Sequence, residues 1–378
     1  MSNKSIYYTI ENEVNKVIYS KNIDLKLIKD ISLLKSDQKI LFIYDKNISK
    51  KFINNLKNQL KLTGNIIFFK EIEGKKNNKS LKNLLNLFNI LIKNKFTKNS
   101  IIISCGGGVV GDMCGLLSSL YLRGTIYFHI PTTMTAIVDS CIGGKTGVNY
   151  RGIINSMGNY YHPKRVYISE KLINDIPDRE YYAGFAEIIK CGLIGNVKIL
   201  NYLKKDNFLF KRLNTKNLSN IIIETLKTKI SFFKNDVKEK NTRLHLNFGH
   251  TFAHSIEMIT DKLLKKDYLR HGEAVGLGML CEIMMDSEKN NSLFKLTEML
   301  LKKYQLPTKL IIPNKLKNKI HSGIYNGVFL DKKTKYKNPR YISLKKISSP
   351  LTKEITDYGT LNDTIYKIIK LNWKKLLF

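Results

Sequence analysis

Four of the chain's seven histidines, His245, His250, His254 and His271, fall within one short segment. His250 and His254 stand four apart in "LNFGHTFAHSIE", which puts both rings on one face of a helix, where two imidazoles can ligate one ion. His271 follows in "RHGEAVGLGM", just ahead of a glycine-containing helix able to pack closely. A carboxylate is available in "AGFAEIIKCG". Glu187 is flanked there by Phe185, Ala186, Ile188 and Ile189, so a helix packed in the interior obliges it to find a partner. Lys190, three residues on, is one such partner; a divalent metal is the other. One carboxylate with two imidazoles leaves a coordination position open, as a catalytic zinc requires. The histidine left over, whichever it is, can carry a proton or touch substrate. There is no H-E-x-x-H, so the metalloprotease base is missing. Arg243, Asn247, His250 and His254 recur at four, three and four, and a continued helix would align them as a stripe suited to an anionic ligand.

A second chemical feature lies upstream. "SIIISCGGGVVGDMCGLL" sets Gly106, Gly108 and Gly111 as G-x-G-x-x-G between a strand and a helix. That pattern lets a backbone approach a pyrophosphate closely, with helix N–H groups stabilising its charge. Asp112, directly after the last glycine, suits a sugar or nicotinamide contact better than a phosphate. "IPTTMTAIVDSCIGGKTGVN" then offers the hydroxyls of Thr132 and Thr133, the carboxylate of Asp139, and Lys145 on a glycine-rich loop. The spacing is not that of a Walker A loop.

Elements must hold these groups in place. "QKILFIYD", "NIIFFKEI", "SIIISCGGG" and "TIYFHIPTT" read as strands, and they alternate with the helical patterns "SKKFINNLKNQLKL" and "SLKNLLNLFNILIKNKF". Alternation of this kind predicts a parallel sheet with covering helices, the α/β class. From about Asp178 onward the pattern is helical, with little that reads as strand. At 378 residues two domains are expected.

The net charge of +33 invites a nucleic-acid reading. The lysines are spread along the whole length, however, and no binding module accompanies them, which leaves non-specific stickiness rather than a nucleic-acid function. No apolar run reaches the length of a membrane span, and the N-terminus lacks the pattern of a secretory signal. Five cysteines without C-x-x-C spacing fit a reducing cytoplasm and free buried thiols.

Taken together, "GGGVVGD", "YLRG", "PTT", "VDSCIGGKTGVN", "AGFAEIIK", "NFGHTFAH", "HGEAVGLGM" and "DKK", in this order, resemble the 3-dehydroquinate synthase family over nearly the whole chain. The resemblance implies a Rossmann-like NAD-binding domain with a parallel sheet over 1–171 and a mostly α-helical metal- and substrate-binding domain over 172–378. It implies Glu187, His250 and His271 as ligands of Zn2+ (or Co2+), with His254 on the substrate side. Gly108, Val109, Val110, Gly111, Asp112, Thr132, Thr133 and Lys145 match NAD-binding positions, joined by Asp45, Asn47, Lys79 and the run Leu172, Ile173, Asn174 and Asp175. Arg123, Asp139, Asn155, Lys190, Lys229, Arg243 and Asn247 match positions around the substrate, with Lys332 or Lys333 closing over its phosphate. The implied activity is a carbon–oxygen lyase of the shikimate pathway. It converts 3-deoxy-D-arabino-heptulosonate 7-phosphate to 3-dehydroquinate and phosphate with catalytic NAD, in a cytoplasmic homodimer without nucleic-acid or membrane partners.

Three departures touch the cofactor or phosphate regions of that family. Ile154 stands where a lysine is usual, with Arg151 nearby. The loop "EGKKNNK" carries Lys75 in place of a glutamate and brings Lys79 one residue late. "INDIP" lacks the usual threonine near Asp175. Weakened NAD affinity or compensation is expected rather than lost activity, because every metal and proton-transfer position is present. The rival readings share the fold. Other sugar-phosphate cyclases make inosose or valiolone products, and metal-dependent polyol dehydrogenases release NADH.

Overall fold

The computed structural model describes residues 4–35, 38–151, 153–205, 215–264, 267–286, 291–330 and 338–372. The chain divides into two compact units, Met1–Tyr181 with Phe233–Lys238, and Tyr182–Phe232 with Glu239–Phe378.

In the first unit the strands are β1 (Lys4–Ile10), β2 (Glu13–Ser20), β3 (Lys39–Asp45), β4 (Ile66–Ile72), β5 (Ile101–Gly106), β6 (Ile126–Pro131), β7 (Lys145–Tyr150), β8 (Ile153–Tyr160) and β9 (Arg165–Ser169). The helices are α1 (Ile23–Ser32), α2 (Lys50–Lys61), α3 (Leu81–Lys93), α4 (Gly108–Leu120) and α5 (Glu170–Asn174), and α6 (Asp178–Ala183) runs across the division. Seven strands form one sheet in the order β1-β2-β9-β6-β5-β3-β4, parallel except for the β1–β2 hairpin. The α/β expectation therefore holds.

Side-chain alternation sorts the core onto two faces. Ile40 and Phe42 pack with Ile53, Leu56 and Leu60 of α2 on one side. Leu41 and Ile43 pack with Leu84, Leu87 and Leu91 of α3 and with Val110, Met113 and Leu117 of α4 on the other. Central strands buried on both faces read as continuous apolar runs for this reason. Each such side chain contributes about 1.5–3 kcal/mol by leaving water. Ser80 caps α3 by accepting from the Asn83 N–H, so the helix begins one residue after its polar start signal.

Leu172 of α5 belongs to the sheet core, and the first unit accordingly continues past residue 171. The β1–β2 hairpin and the separate β7–β8 hairpin carry polar residues through their strands, and the sequence pattern did not announce them.

The second unit contains α7 (Phe185–Gly195), α8 (Val197–Lys205), α9 (Thr215–Phe233), α10 (His250–Leu263), α11 (His271–Met285), α12 (Asn291–Lys303), α13 (Lys317–Phe329) and α14 (Tyr358–Ile368). It is not purely helical. β10 (Leu310–Pro313) pairs in parallel with β13 (Ile369–Asn372), and β11 (Arg340–Leu344) pairs antiparallel with β12 (Pro350–Glu354). α11 is buried along nearly its whole length and packs against α7, α10, α12 and α14. A helix apolar on all sides is a central one. Among the described residues no helix is long and apolar enough to cross a membrane. All five cysteines are buried free thiols.

Candidate functional site

In the first unit, β3 leads outward to β4 on one side, while β5 continues to β6 on the other. The carboxyl ends of β3 and β5 thus flank the switch point where open α/β sheets bind ligands. Asp45 ends β3, and its Oδ1 accepts from the N–H and the Nδ2 of Asn47 at 3.0 and 3.1 Å. Gly74 faces this turn. A Cβ there would lie 2.1 Å from Asp45 Oδ2, so any larger residue at 74 would push the Asp45 carboxylate out of this turn.

β5 runs into the glycine loop. A Cβ on Gly106 would meet Val110 at 2.6 Å and one on Gly107 would meet Thr133 at 2.9 Å, whereas one on Gly108 would touch only Ser140 Oγ at 3.4 Å. A Cβ on Gly111 would strike the His129 ring at 2.9 Å. The three motif glycines therefore serve turn, approach and helix–strand packing. α4 begins at Gly108 without a side-chain cap, which leaves its first N–H groups for a ligand.

Thr132 donates its N–H to the Gly106 carbonyl, and Thr133 Oγ1 accepts from the Ala136 N–H. Asp139 lies in the wide turn Ala136–Ser140. Lys79 is buried and donates to Asp112 Oδ2 and Asn155 Oδ1, both at 2.5 Å. Three residues matched separately in the sequence are thus one cluster. Asn155 holds a positive φ of 50°. Ile154 is 66% exposed. Lys145 begins β7 and is exposed, as is Arg123, which follows Leu122 into positive φ. Leu172 and Ile173 are core residues with buried side chains, while Asn174 and Asp175 are exposed.

The second unit holds a different kind of site. Glu187, His250 and His271 each offer a donor atom within 4.8 Å of the others, and they form the one such group found among the described residues. Glu187 Oε1 stands 3.5 Å from His271 Nε2 and 3.7 Å from His250 Nε2. Neither distance is a hydrogen bond. Two ligands about 2.1 Å from a tetrahedral ion sit roughly 3.4 Å apart, so the spacing fits a metal. Both Glu187 oxygens are buried without a well-aligned hydrogen-bond donor, the condition a cation relieves. Lys190 is ion-paired with Glu187, one turn along, and both side chains are buried. The carboxylate has the lysine and the space for a metal together, not one instead of the other.

Each imidazole is oriented from behind. His271 Nδ1 meets Glu257 Oε2 at 2.9 Å, and His250 Nδ1 lies 3.3 Å from the Phe248 carbonyl. A carboxylate or carbonyl behind a histidine fixes the ring and aims its other nitrogen at the metal. Burial opposes charge on Glu187, yet Lys190 and His271 hold its pKa to about 2. Burial likewise opposes protonation of His271, but Glu257 and Glu187 raise its pKa to about 10. A ring between two carboxylates favours a positive charge, which a divalent ion at Nε2 could supply in place of the proton.

His254 remains outside the triad. Its exposed ring lies 5.5 Å from that of His250 and 6.4 Å from that of His271, close enough for proton transfer to a shared ligand. Glu257 escaped the sequence reading, although it lies seven residues after His250 on the same face of α10, a spacing that could have revealed it.

The expected continuous helix through Arg243, Asn247 and His250 does not form. Thr242–Asn247 is a 3-10 turn, Phe248 is extended, and Gly249 adopts a left-handed φ of 84° before α10 starts at His250. Alanine at 249 would lie 2.8 Å from the Val275 carbonyl, so the break is built into the contact with α11. The turn still packs against α7. It carries Arg243, which is buried, and Asn247, whose Nδ2 donates to Glu239 and to the Leu244 carbonyl. Lys229, on α9, is also buried. Lys332 and Lys333 lie outside the described residues.

The comparisons agree along the chain. Residues 69–183 match the pattern of the 3-dehydroquinate synthase N-terminal region, and 184–334 match its C-terminal region. The 3-dehydroquinate synthase of Clostridium tetani is 34% identical over 345 residues, 89% of this chain and 88% of that one. Among solved structures, 2-deoxy-scyllo-inosose synthase complexed with carbaglucose-6-phosphate, NAD+ and Co2+ superimposes with a TM-score of 0.81 at 21% identity, covering 97% of this chain and all of the other. The 2-epi-5-epi-valiolone synthase of Streptomyces hygroscopicus, with NAD+ and Zn2+ bound, gives 0.80 at 19%, covering 97% of this chain and 98% of that one. At those identities the two structures speak for the fold, while the family matches and the Clostridium relative speak for descent: the chain belongs to the 3-dehydroquinate synthase family.

Proposed function

We propose that the protein converts 3-deoxy-D-arabino-heptulosonate 7-phosphate to 3-dehydroquinate and phosphate, as a carbon–oxygen lyase using catalytic NAD and a divalent metal. The observation that carries this reading is the Glu187–His250–His271 triad, a buried carboxylate and two half-buried imidazoles spaced for a tetrahedral ion, in a chain whose other unit offers a glycine loop for a dinucleotide.

Glu187, His250 and His271 would hold Zn2+ or Co2+, and Gly108, Val109, Gly111, Asp112, Thr132 and Thr133 would lie along NAD. When bound, NAD would supply reversible hydride acceptance and the metal Lewis-acid polarisation of a substrate alcohol, the chemistry that loss of phosphate from the neighbouring carbon needs. Glu257 keeps the proton on His271 Nδ1, leaving the Nε2 lone pair free to ligate. His254 supplies an imidazole outside the ligand set for proton transfer. Lys190, Lys229 and Arg243 offer cations to a substrate with two anions, the carboxylate and the phosphate, and charge-assisted bonds orient it. Ring opening and aldol closure then give the carbocycle.

Buried free thiols support a reducing, cytoplasmic setting, and the resemblance supports a homodimer. The inosose and valiolone cyclases keep the same fold and make the nearest alternative. The test is phosphate release from the heptulosonate phosphate by purified protein, with and without NAD and a chelator. Release that needs both NAD and metal, without NADH accumulating, is the expected result. Stoichiometric NADH would point to a dehydrogenase, and no release from NAD- and metal-loaded protein would overturn the reading.

A further inference from the structure

α11 begins with a cap of its own. The Arg270 N–H donates to Glu273 Oε2 at 2.9 Å, a capping box that fixes the turn carrying His271. α10, which begins with His250, has no such device. Its N-cap is Gly249, without a side chain, so the first N–H groups of the helix need an acceptor from elsewhere.

Glu282 supplies it. This carboxylate is fully buried on α11, eleven residues beyond His271. The stripe His271, Val275, Gly278, Glu282 advances by four, three and four residues and so lies on one face of the helix, about 16 Å from end to end. Gly249 rests in the middle of that stripe. A Cβ on Gly278 would lie 1.9 Å from the Gly249 carbonyl oxygen, so backbone meets backbone there. At the far end Glu282 Oε1 accepts from the Thr251 N–H at 3.2 Å, and Oε2 accepts from the Ile342 N–H of β11 at 3.1 Å. The Gly249 N–H also faces it. Thr251 Oγ1 donates in turn to the Arg340 carbonyl at 3.0 Å. Burial pushes the Glu282 carboxyl up to about 8, and the donors around it pull the other way.

We infer that Glu282 is a positioning residue for the metal centre. Its carboxylate is the N-cap that α10 lacks, and it sets the height and rotation of the first turn, hence the approach of His250 to Glu187 and His271. One helix thereby fixes two ligands, His271 by carrying it and His250 by capping the helix it starts. This inference rests on the metal reading above.

A merely structural role makes a different prediction, and Asp286 provides the control. It ends the same helix and ties down the β11–β12 hairpin through Tyr341, the Leu344 N–H and Lys353, with no contact to α10 among its described bonds. Zinc affinity would be measured by competition with a chromophoric chelator, and ligand geometry by the visible absorption of the Co2+-loaded protein. Glu282→Gln keeps one acceptor oxygen and is expected to weaken zinc binding about tenfold or more and to shift the Co2+ bands. Asp286→Asn is expected to lower Tm while leaving zinc affinity within about twofold and the spectrum unchanged. Glu282→Asp, which keeps the carboxyl group but withdraws it by one methylene, answers the question if the glutamine variant does not fold. Wild-type affinity and spectrum in a folded Glu282 variant, or equal loss in Asp286→Asn, overturns the inference. The metal reading fails separately, if the native protein retains no zinc or Glu187→Gln retains as much as wild type.

Discussion

The two candidate regions are built on opposite principles. The glycine loop after β5 is made of backbone and absent side chains, and its parts lie within a few residues of one another along the chain. The candidate metal triad is made of side chains from three helices, with Glu187 63 residues before His250 and His271 a further 21 beyond it, and it works only if those helices meet. A loop of the first kind fails by crowding; a site of the second kind fails by losing a ligand or its alignment. Substitutions in one unit should therefore leave binding in the other unit intact, and that separation can be tested.

The largest effect is expected from Glu187→Gln. It removes the anionic ligand and the charge that Glu187 sets against the buried Lys190, so metal retention and activity should fall by about a thousandfold or more. NAD binding, followed by fluorescence of the reduced cofactor, should be unchanged. Loss of both together would mean that the two regions are not independent.

Crowding the loop comes next. In Gly106→Ala the new methyl would sit 2.6 Å from Val110 Cβ, an atom fixed to the α4 backbone that cannot swing aside. Overpacking of this sort costs about 1–3 kcal/mol, or roughly 5- to 150-fold in NAD affinity if the strain is released only in the unbound loop. Zinc content should stay at the wild-type level. Lower zinc content in this variant would break the comparison from the other side.

How far each region could be read from sequence follows the same division. Strands β3, β4, β5 and β6 and helices α2 and α3 were legible because a central parallel sheet imposes unbroken apolar runs and the covering helices impose a period near 3.6. The β7–β8 hairpin was not, since its eight-residue second strand is exposed almost throughout and carries no burial pattern. The triad residues were legible as types, but spacing alone left open which histidine was the spare. The choice depends on Gly249, whose left-handed turn separates Asn247 from His250, and on the contact between Gly278 and the Gly249 carbonyl. Periodicity assumes that a helix continues, and it cannot sense a break imposed by a neighbouring helix. Glu257 and Glu282 were missed because they act behind the site, through distances that only the packing of α10 on α11 creates.

A smaller effect is expected from Glu257→Gln. The amide oxygen can still accept from His271 Nδ1, so the ring keeps its orientation, but the charge that makes it a better ligand is gone. Zinc affinity should drop by about tenfold, with NAD binding unaffected. An unchanged affinity would remove Glu257 from the metal site and leave it a surface ion-pair partner of His271.

The smallest effect on either site, yet a measurable one on stability, belongs to His129 beneath the glycine helix. Its Nδ1 lies 2.7 Å from Ser104 Oγ, and its ring packs against Gly111. Burial lowers its pKa from 6.5 to about 4, with the Ser104 contact opposing the shift. Because the folded value lies below the unfolded one, the unfolded chain binds a proton between these limits that the native protein refuses. The contribution of the neutral ring is complete above about pH 6.5 and is lost as pH falls through about 4, amounting to no more than about 3 kcal/mol. His129→Asn keeps a polar atom near Ser104 and removes the titration. Urea unfolding at a series of pH values should show wild type losing stability relative to the variant on acidification from 6.5 to 4, with no difference in slope above 7. Parallel curves across the whole range would mean that the ring takes up its proton without cost, and that the wall beneath the loop is softer than its packing indicates.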